Sequence, residues 1–154
     1  MARTAALLLV VAGLTAACGE QECDVEDLVA GEIEGLDVIE CGVHDLGWED
    51  SSPLAGARTC VQAALDAGAA FYLLWRVPGF EGSTTQGWVG RRRDGAYRVV
   101  QYYQSADPTG RYTTSWNLCS SVRATTPCEG DQLRQDLCFE CDEDWSRVLC
   151  DEHD

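Results

Sequence analysis

The sequence predicts an α+β domain in which one helix packs on a curved antiparallel sheet of four to five strands, followed by a disulfide-rich C-terminal tail. Residues 53–67 carry apolar side chains at helical spacing, and aromatic-rich segments between residues 71 and 119 are separated by short turns. Short connections favour antiparallel neighbours. Residues 128–154 hold four of the nine cysteines, which makes this tail a candidate for disulfide bonding.

The first predicted elements are a strand, a helix and a second strand. Residues 37–43 include β-branched side chains and predict a strand that ends near Gly42. Ser51 and Ser52 followed by Pro53 form a typical helix start, and Gly68 forms a typical helix end. The helix therefore spans about residues 53–67, and the apolar segment 71–77 is predicted as a buried strand.

The clearest hairpin lies further along the chain. Asp94 and Gly95 supply the positive φ that a two-residue type I′ turn needs, between predicted strands at residues 87–93 and 96–104. A second turn at residues 107–110 leads into a strand at residues 111–119. The predicted order is thus a strand, a helix and four further strands.

This order of elements resembles the cystatin layout. Cystatins inhibit proteases through a Gln-x-Val-x-Gly hairpin, whereas residues 86–90 read Gln-Gly-Trp-Val-Gly, with the valine one place late. Residues 37–119 are also similar in outline to small cysteine-containing lipoproteins of myxobacteria, a resemblance that implies no activity. The shared features are the Cys41-Gly42 pair, a helical Cys60, an alanine-rich helix end before Phe71 and the turn from Asp107 to Gly110.

Length and charge exclude several functions. The 154 residues suffice for one compact domain. They include 26 acidic and 11 basic side chains, giving a net charge of -15, and every basic residue is arginine. The absence of lysine excludes Schiff-base catalysis on a lysine, a Walker-A loop and the protein-kinase lysine. The acidic balance makes nucleic acid an unexpected partner.

The first 17 residues are predicted to be a signal peptide. Arg3 precedes an apolar run of about ten residues and then small residues, which is the layout of a secretory signal. The run is about half the length that a membrane-spanning helix needs.

The end of this signal, Leu-Thr-Ala-Ala-Cys at residues 14–18, resembles a bacterial lipobox, with Thr15 where an aliphatic residue is preferred. The resemblance implies cleavage before Cys18, acylation of its sulfur, and membrane attachment through this N-terminal lipid. We then expect a cell-envelope protein, on the outer membrane of a Gram-negative bacterium. The alternative is an ordinary signal peptide and a secreted or periplasmic protein.

Charge divides the mature chain into three parts. Residues 18–57 contain twelve acidic and no basic side chains, residues 58–127 contain four acidic and eight basic ones, and residues 128–154 contain ten and two. From this pattern we predict an acidic tether at residues 18–36, extended by self-repulsion, an α+β domain at residues 37–127, and an acidic cysteine-rich tail at residues 128–154. The alternative for the tether is a short helix over residues 25–29.

The cysteines are predicted to form disulfides. Export to an oxidising compartment favours bridges over zinc or redox chemistry, although Cys138 and Cys141 form one C-x2-C pair. We expect Cys41 to bond Cys60, and the tail cysteines to pair among themselves or with Cys119. With Cys18 lipidated, the disulfide set is Cys23, Cys41, Cys60, Cys119, Cys128, Cys138, Cys141 and Cys150.

Catalytic signals are weak. His44 beside Asp45 has the residue types of a base and its orienting partner, but no Gly-x-Ser-x-Gly elbow supplies a nucleophile. The many carboxylates define no glycosidase pair, and the acidic cluster at residues 142–144 lacks EF-hand spacing. We therefore predict no catalytic residue, metal or cofactor, with an exported hydrolase using carboxylates or His44 as the alternative.

The strongest binding signal is the run Arg91, Arg92 and Arg93 before the hairpin turn. In a strand the outer two share one face and Arg92 takes the other. The run could bind an anion, such as a lipid headgroup, an acidic glycan or carboxylates of another envelope protein, or could only add solubility. We expect a non-enzymatic binding or structural module, with an inhibitor-like module as a further alternative.

Overall fold

The structure is a computed structural model that describes residues 24–47, 51–79, 82–128 and 131–151. Within these residues the chain forms three helices and a six-stranded sheet. In chain order the elements are α1 (Val25–Ile33), β1 (Ile39–Asp45), α2 (Ser52–Ala67), β2 (Phe71–Gly79), β3 (Gly82–Arg93), β4 (Ala96–Ala106), β5 (Tyr112–Ala124), α3 (Asp131–Asp136) and β6 (Phe139–Asp151). No helix in the described ranges is long and apolar enough to span a bilayer.

The sheet is mixed, and its strands lie in sequence order from β1 to β6. β1 pairs with β2 in parallel, because α2 carries the chain back across the sheet between them. All the later neighbours are antiparallel. The hairpin at Asp94 and Gly95 has the predicted register, with Arg93 opposite Ala96.

The predicted fold class is therefore wrong. We expected one helix on an antiparallel sheet of four to five strands in cystatin-like order, whereas the described residues hold six strands, one parallel pair and three helices. The tail is also not an appendage. Its strand β6 pairs with β5 from Ala124, opposite Phe139, to Thr113, opposite Asp151, so residues 139–151 belong to the same sheet as the centre of the chain.

The extended tether predicted for residues 18–36 is wrong over α1. Asp24 caps this helix by accepting the Glu26 N–H at 2.7 Å, and the acidic first turn suits the positive end of the helix dipole. Val25 and Val29 lie one turn apart on the same face and are both buried. Capping and apolar burial thus outweigh the self-repulsion on which the prediction rested.

The two faces of the sheet carry separate apolar clusters. α2 and α3 cover one face, where the largest buried side chains are Phe71, Leu73, Trp75, Trp88 and Phe139. α1 covers part of the other face, where the cluster comprises Val25, Val29, Leu74, Val89, Val100 and Tyr102. Trp75 and Trp88 pack with ring centroids 6.3 Å apart. We call these the α2 face and the α1 face.

Two glycines of β3 allow close packing on opposite faces. A Cβ at Gly87 would lie 2.8 Å from methyl groups of Val25 and Val29, so the missing side chain lets α1 approach the sheet. A Cβ at Gly90 would lie 2.1 Å from the ring of Phe71. β3 therefore needs glycine at both positions for reasons of space.

Three disulfides join elements of the α2 face. Cys41 bonds Cys60, as predicted, and links β1 to α2. Cys119–Cys141 and Cys128–Cys138 bind the tail to β5 and to itself, which agrees with the expected pairing of the tail cysteines. Cys23 lies outside the described residues, as do the predicted signal peptide and Cys18, and the side chain of Cys150 is likewise not described.

Gly90 provides a test of this packing. We expect Gly90→Ala to destabilise the protein by about 1–3 kcal/mol, because the added methyl group overlaps the Phe71 ring. Gly56→Ala is the matched control: it lies in α2 with open space around it, and alanine there should stabilise the helix by about 0.5–1 kcal/mol. Urea unfolding with the disulfides intact measures both. A Gly90→Ala protein as stable as the wild type would contradict the described packing.

Candidate functional site

α1 leaves part of its own face of the sheet open. The helix packs mainly on β3, with fewer contacts to β2 and β4. Beyond it lie two adjoining depressions of about 390 Å³ and about 380 Å³, which share Arg93 and Trp116. We call them together the arginine–aromatic groove, lined chiefly by Arg93, Arg98, Val100, Trp116, Leu118 and Leu149.

Strand register concentrates arginines at this groove. Arg91 on β3 lies directly opposite Arg98 on β4, and Arg93 lies two residues further along the same face. Arg147 on β6 is opposite Trp116 in the register of the sheet. Like charges directly opposite each other destabilise a sheet unless something compensates them.

Glu32 on α1 supplies that compensation. Its Oε2 forms an ion pair with Arg91 Nη2 without an aligned hydrogen bond, and its Oε1 accepts a hydrogen bond from Tyr102 Oη at 3.2 Å. Burial raises the pKa of the Tyr102 phenol, and the Glu32 carboxylate raises it further, while Arg91 and Arg93 oppose the shift. Helix and sheet are thus electrostatically coupled at the groove.

The groove combines guanidinium groups with carboxylates. Its lining contains Arg93 and Arg98 together with Glu32, which pairs with Arg91, and Asp94. The whole chain carries a net charge of -15, so a cluster of arginines on its surface contrasts with the protein's overall charge. Its floor is apolar, because Val100, Leu118 and Leu149 belong to or pack against the α1-face cluster.

The predicted arginine run is divided between the faces. Arg91 and Arg93 lie on the α1 face, and Arg92 lies on the α2 face near Gly68 and Tyr97. Burial raises the pKa of Tyr97 to about 12, and Arg92 opposes this shift. The three arginines therefore do not form one patch, and the partners of Arg91 and Arg93 at the groove come from α1, β4 and β5.

The geometry gives little support to the predicted alternative, a hydrolase that uses carboxylates or His44. His44 Nε2 lies 3.3 Å from the Cys41 carbonyl oxygen, and Asp45 accepts a hydrogen bond at 2.8 Å from Arg76. Within the described part of the chain no hydrogen bond joins His44 to Asp45, and no group of three or more potential metal ligands occurs. Asp142 is engaged by Ser121 and Arg123.

The residues that resemble the cystatin motif are placed inside the sheet. Residues 86–90 form the middle of β3, with β2 on one side and β4 on the other. Trp88 is 2% exposed and Val89 is fully buried. A segment buried in this way presents no inhibitory hairpin to a protease.

Comparison with protein families, with curated proteins and with solved structures finds no match to this chain. The functional assignment therefore rests on the geometry and chemistry of the chain's own residues.

The sequence could have indicated more of the groove than we predicted. A two-residue turn at Asp94 and Gly95 fixes Arg91 opposite Arg98, so the facing pair can be counted from the sequence. Trp116 and Leu118 depend on the register between β4 and β5, which the four-residue turn sets less strictly. Glu32 has no such local signal, because its partner lies 59 residues away.

Replacing Glu32 tests the electrostatic coupling. We expect Glu32→Gln to destabilise the protein by about 1–3 kcal/mol, because it removes the carboxylate that pairs with Arg91. Added NaCl should narrow the difference from the wild type, because it screens the attraction between Glu32 and Arg91. The measurement is the urea midpoint at low and high salt.

The matched control for this experiment is Glu34→Gln, because Glu34 is an exposed carboxylate at the end of the same helix. It should change stability by less than about 0.5 kcal/mol. Equal effects of the two substitutions, or a Glu32→Gln loss that salt does not reduce, would show that the Glu32–Arg91 pair does not couple α1 to the sheet.

Proposed function

We propose that the protein is a lipid-anchored envelope module that acts by binding rather than by catalysis, and that its arginine–aromatic groove takes an anionic amphiphile. The observation that carries this proposal is the lining of the groove, in which Arg93 and Arg98 lie beside Trp116 and Leu118. Guanidinium groups bind phosphate and carboxylate strongly, often through two hydrogen bonds.

The apolar floor narrows the class of ligand. A simple inorganic anion would use the arginines and leave the apolar side chains of the groove exposed. A ligand with an anionic head and an apolar portion contacts both, with Trp116 and Leu118 beside the charged rim. Each depression has a volume within the range of small-molecule sites, which argues for a discrete ligand.

The net charge of the protein argues against its adsorption to the surface of an anionic membrane. The net charge of -15 repels such a surface, whereas a single anionic amphiphile meets only the local field of the groove. Attachment through Cys18 would keep the groove within a short distance of membrane lipids, because only six residues separate Cys18 from the start of α1. The anchor and the groove together favour a ligand drawn from the envelope.

Lipid attachment is tested at Cys18. We expect the mature chain to begin at Cys18 with acyl chains on its sulfur and its amino group, and Cys18→Ser to move the protein from the membrane fraction to the soluble fraction. Mass spectrometry of the N-terminus and fractionation measure these results. An unmodified Cys18, or a different first residue, would exclude the anchor and leave a secreted protein.

The groove is tested with dodecyl phosphate below its micelle concentration, using mature protein that carries Cys18→Ser so that no attached lipid competes. We expect saturable binding by calorimetry, and a loss of affinity of about tenfold in Arg93→Gln, equivalent to about 1.4 kcal/mol. Arg111→Gln is the matched control, because Arg111 is an exposed arginine immediately before β5 and is absent from the groove lining.

Two further probes separate the contributions of the charged head and of the apolar chain to binding. Dodecyl maltoside has the same chain without the charge, and inorganic phosphate has the charge without the chain, so both should bind much more weakly than dodecyl phosphate. Equal binding of dodecyl maltoside would show a purely apolar surface. Equal losses in Arg93→Gln and Arg111→Gln would show nonspecific charge attraction, and either result overturns the proposal.

A further inference from the structure

A second cleft lies on the opposite face of the sheet. It has a volume of about 240 Å³ and is formed by β3, β4 and β5 together with the end of α3. A neighbouring depression of about 230 Å³ shares Gln86, Tyr103 and Gln135 with it. The α2 face is closed by apolar packing at Trp75 and Trp88, and the cleft begins where that packing ends.

The chemistry of this cleft differs from that of the arginine–aromatic groove. Its lining is dominated by uncharged polar residues, namely four with carboxamides and three with hydroxyl groups, of which Tyr102 donates its hydroxyl to Glu32. In the described ranges, Gln101, Tyr103, Ser115 and Gln135 form no side-chain hydrogen bond or ion pair with one another or with the rest of the protein. Four polar side chains are therefore available to a ligand in one concave surface.

Gln86 and Tyr103 form the floor and one wall of the cleft. Gln86 is only 8% exposed, and its Nε2 donates to the Arg134 carbonyl oxygen at 3.4 Å. Tyr103 is 46% exposed, so one side of its ring is open to the cleft and its neighbour. Carboxamides both donate and accept hydrogen bonds, and an exposed aromatic ring offers a flat apolar platform.

We propose that this cleft binds a neutral saccharide, with the ring of Tyr103 as the stacking platform and the carboxamides of Gln101 and Gln135 as hydrogen-bonding groups for its hydroxyls. Sugar hydroxyls donate and accept as carboxamides do, and the C–H face of a pyranose is apolar enough to lie on an aromatic ring. Charged ligands fit less well, because the lining offers little fixed charge to balance them.

Asp136 is consistent with this ligand class. It lies at the edge of the cleft, where its Oδ1 accepts the Cys138 N–H at 2.7 Å. Burial raises the pKa of this carboxyl group, and the backbone hydrogen bonds oppose the shift. A partly buried carboxylate accepts hydroxyl hydrogen bonds and repels anions, so it selects a neutral polyol over an acidic sugar.

The test is an NMR titration of ¹⁵N-labelled protein with maltotriose, cellotriose and triacetylchitotriose. We expect at least one of these to perturb the side-chain amides of Gln101 and Gln135 saturably, and Tyr103→Ala to reduce its affinity about tenfold. Gln135→Ala is a second variant on an exposed position of α3, where folding should be unaffected. Gln62→Ala is the matched control on α2, away from the cleft.

Three outcomes would overturn the inference: no saturable shift with any of the three saccharides, an affinity unchanged by both Tyr103→Ala and Gln135→Ala, or tighter binding of glucuronate than of the neutral sugars. Perturbations confined to the α1 face would also overturn it. The two sites share Tyr102 and Trp116 in their linings but are tested with different probes, so failure of every saccharide leaves the dodecyl phosphate result standing, and the two proposals fail separately.

Discussion

The acidic helix α1 and the arginines of the central strands form ion pairs that join the helix to the sheet. Glu26 forms an ion pair with Arg76 on β2, and Glu32 forms one with Arg91 on β3, so the helix is held to the sheet near both ends. On the same helix, Val25 and Val29 pack over Gly87. The acidic side chains of α1 thus lie against arginines of the sheet, so opposite charges that are far apart in the sequence are close together in the fold.

Partial coverage by this short helix gives the molecule two different faces. α1 neutralises Arg91 but ends before it reaches the region of Arg98, Trp116 and Leu118, and the arginine–aromatic groove lies there. The other face is closed by α2, α3 and three disulfides, except at a cleft of uncharged polar groups. One sheet thus carries two chemically distinct concave surfaces.

Sequence patterns correctly predicted one helix, one hairpin and one disulfide. The proline-started, glycine-ended helix α2, the Asp94–Gly95 hairpin and the Cys41–Cys60 bridge are all present. We did not predict β6 from the sequence, because this segment is rich in acidic residues. It forms a strand by pairing with the edge of the sheet at β5. The parallel pairing of β1 with β2 follows from the α2 crossover, which our emphasis on short connections overlooked. The helix α1 needed buried partners that the sequence places over 40 residues away.

The central claim is that the open part of the α1 face is a specific anion-binding groove, and chemical-shift mapping with dodecyl phosphate tests it most directly. The account predicts saturable shifts of the Trp116 indole N–H and of the backbone amides of Arg93 and Arg98, with the α2 face unchanged. Shifts spread evenly over both faces, or centred on residues outside the arginine–aromatic groove, would contradict it.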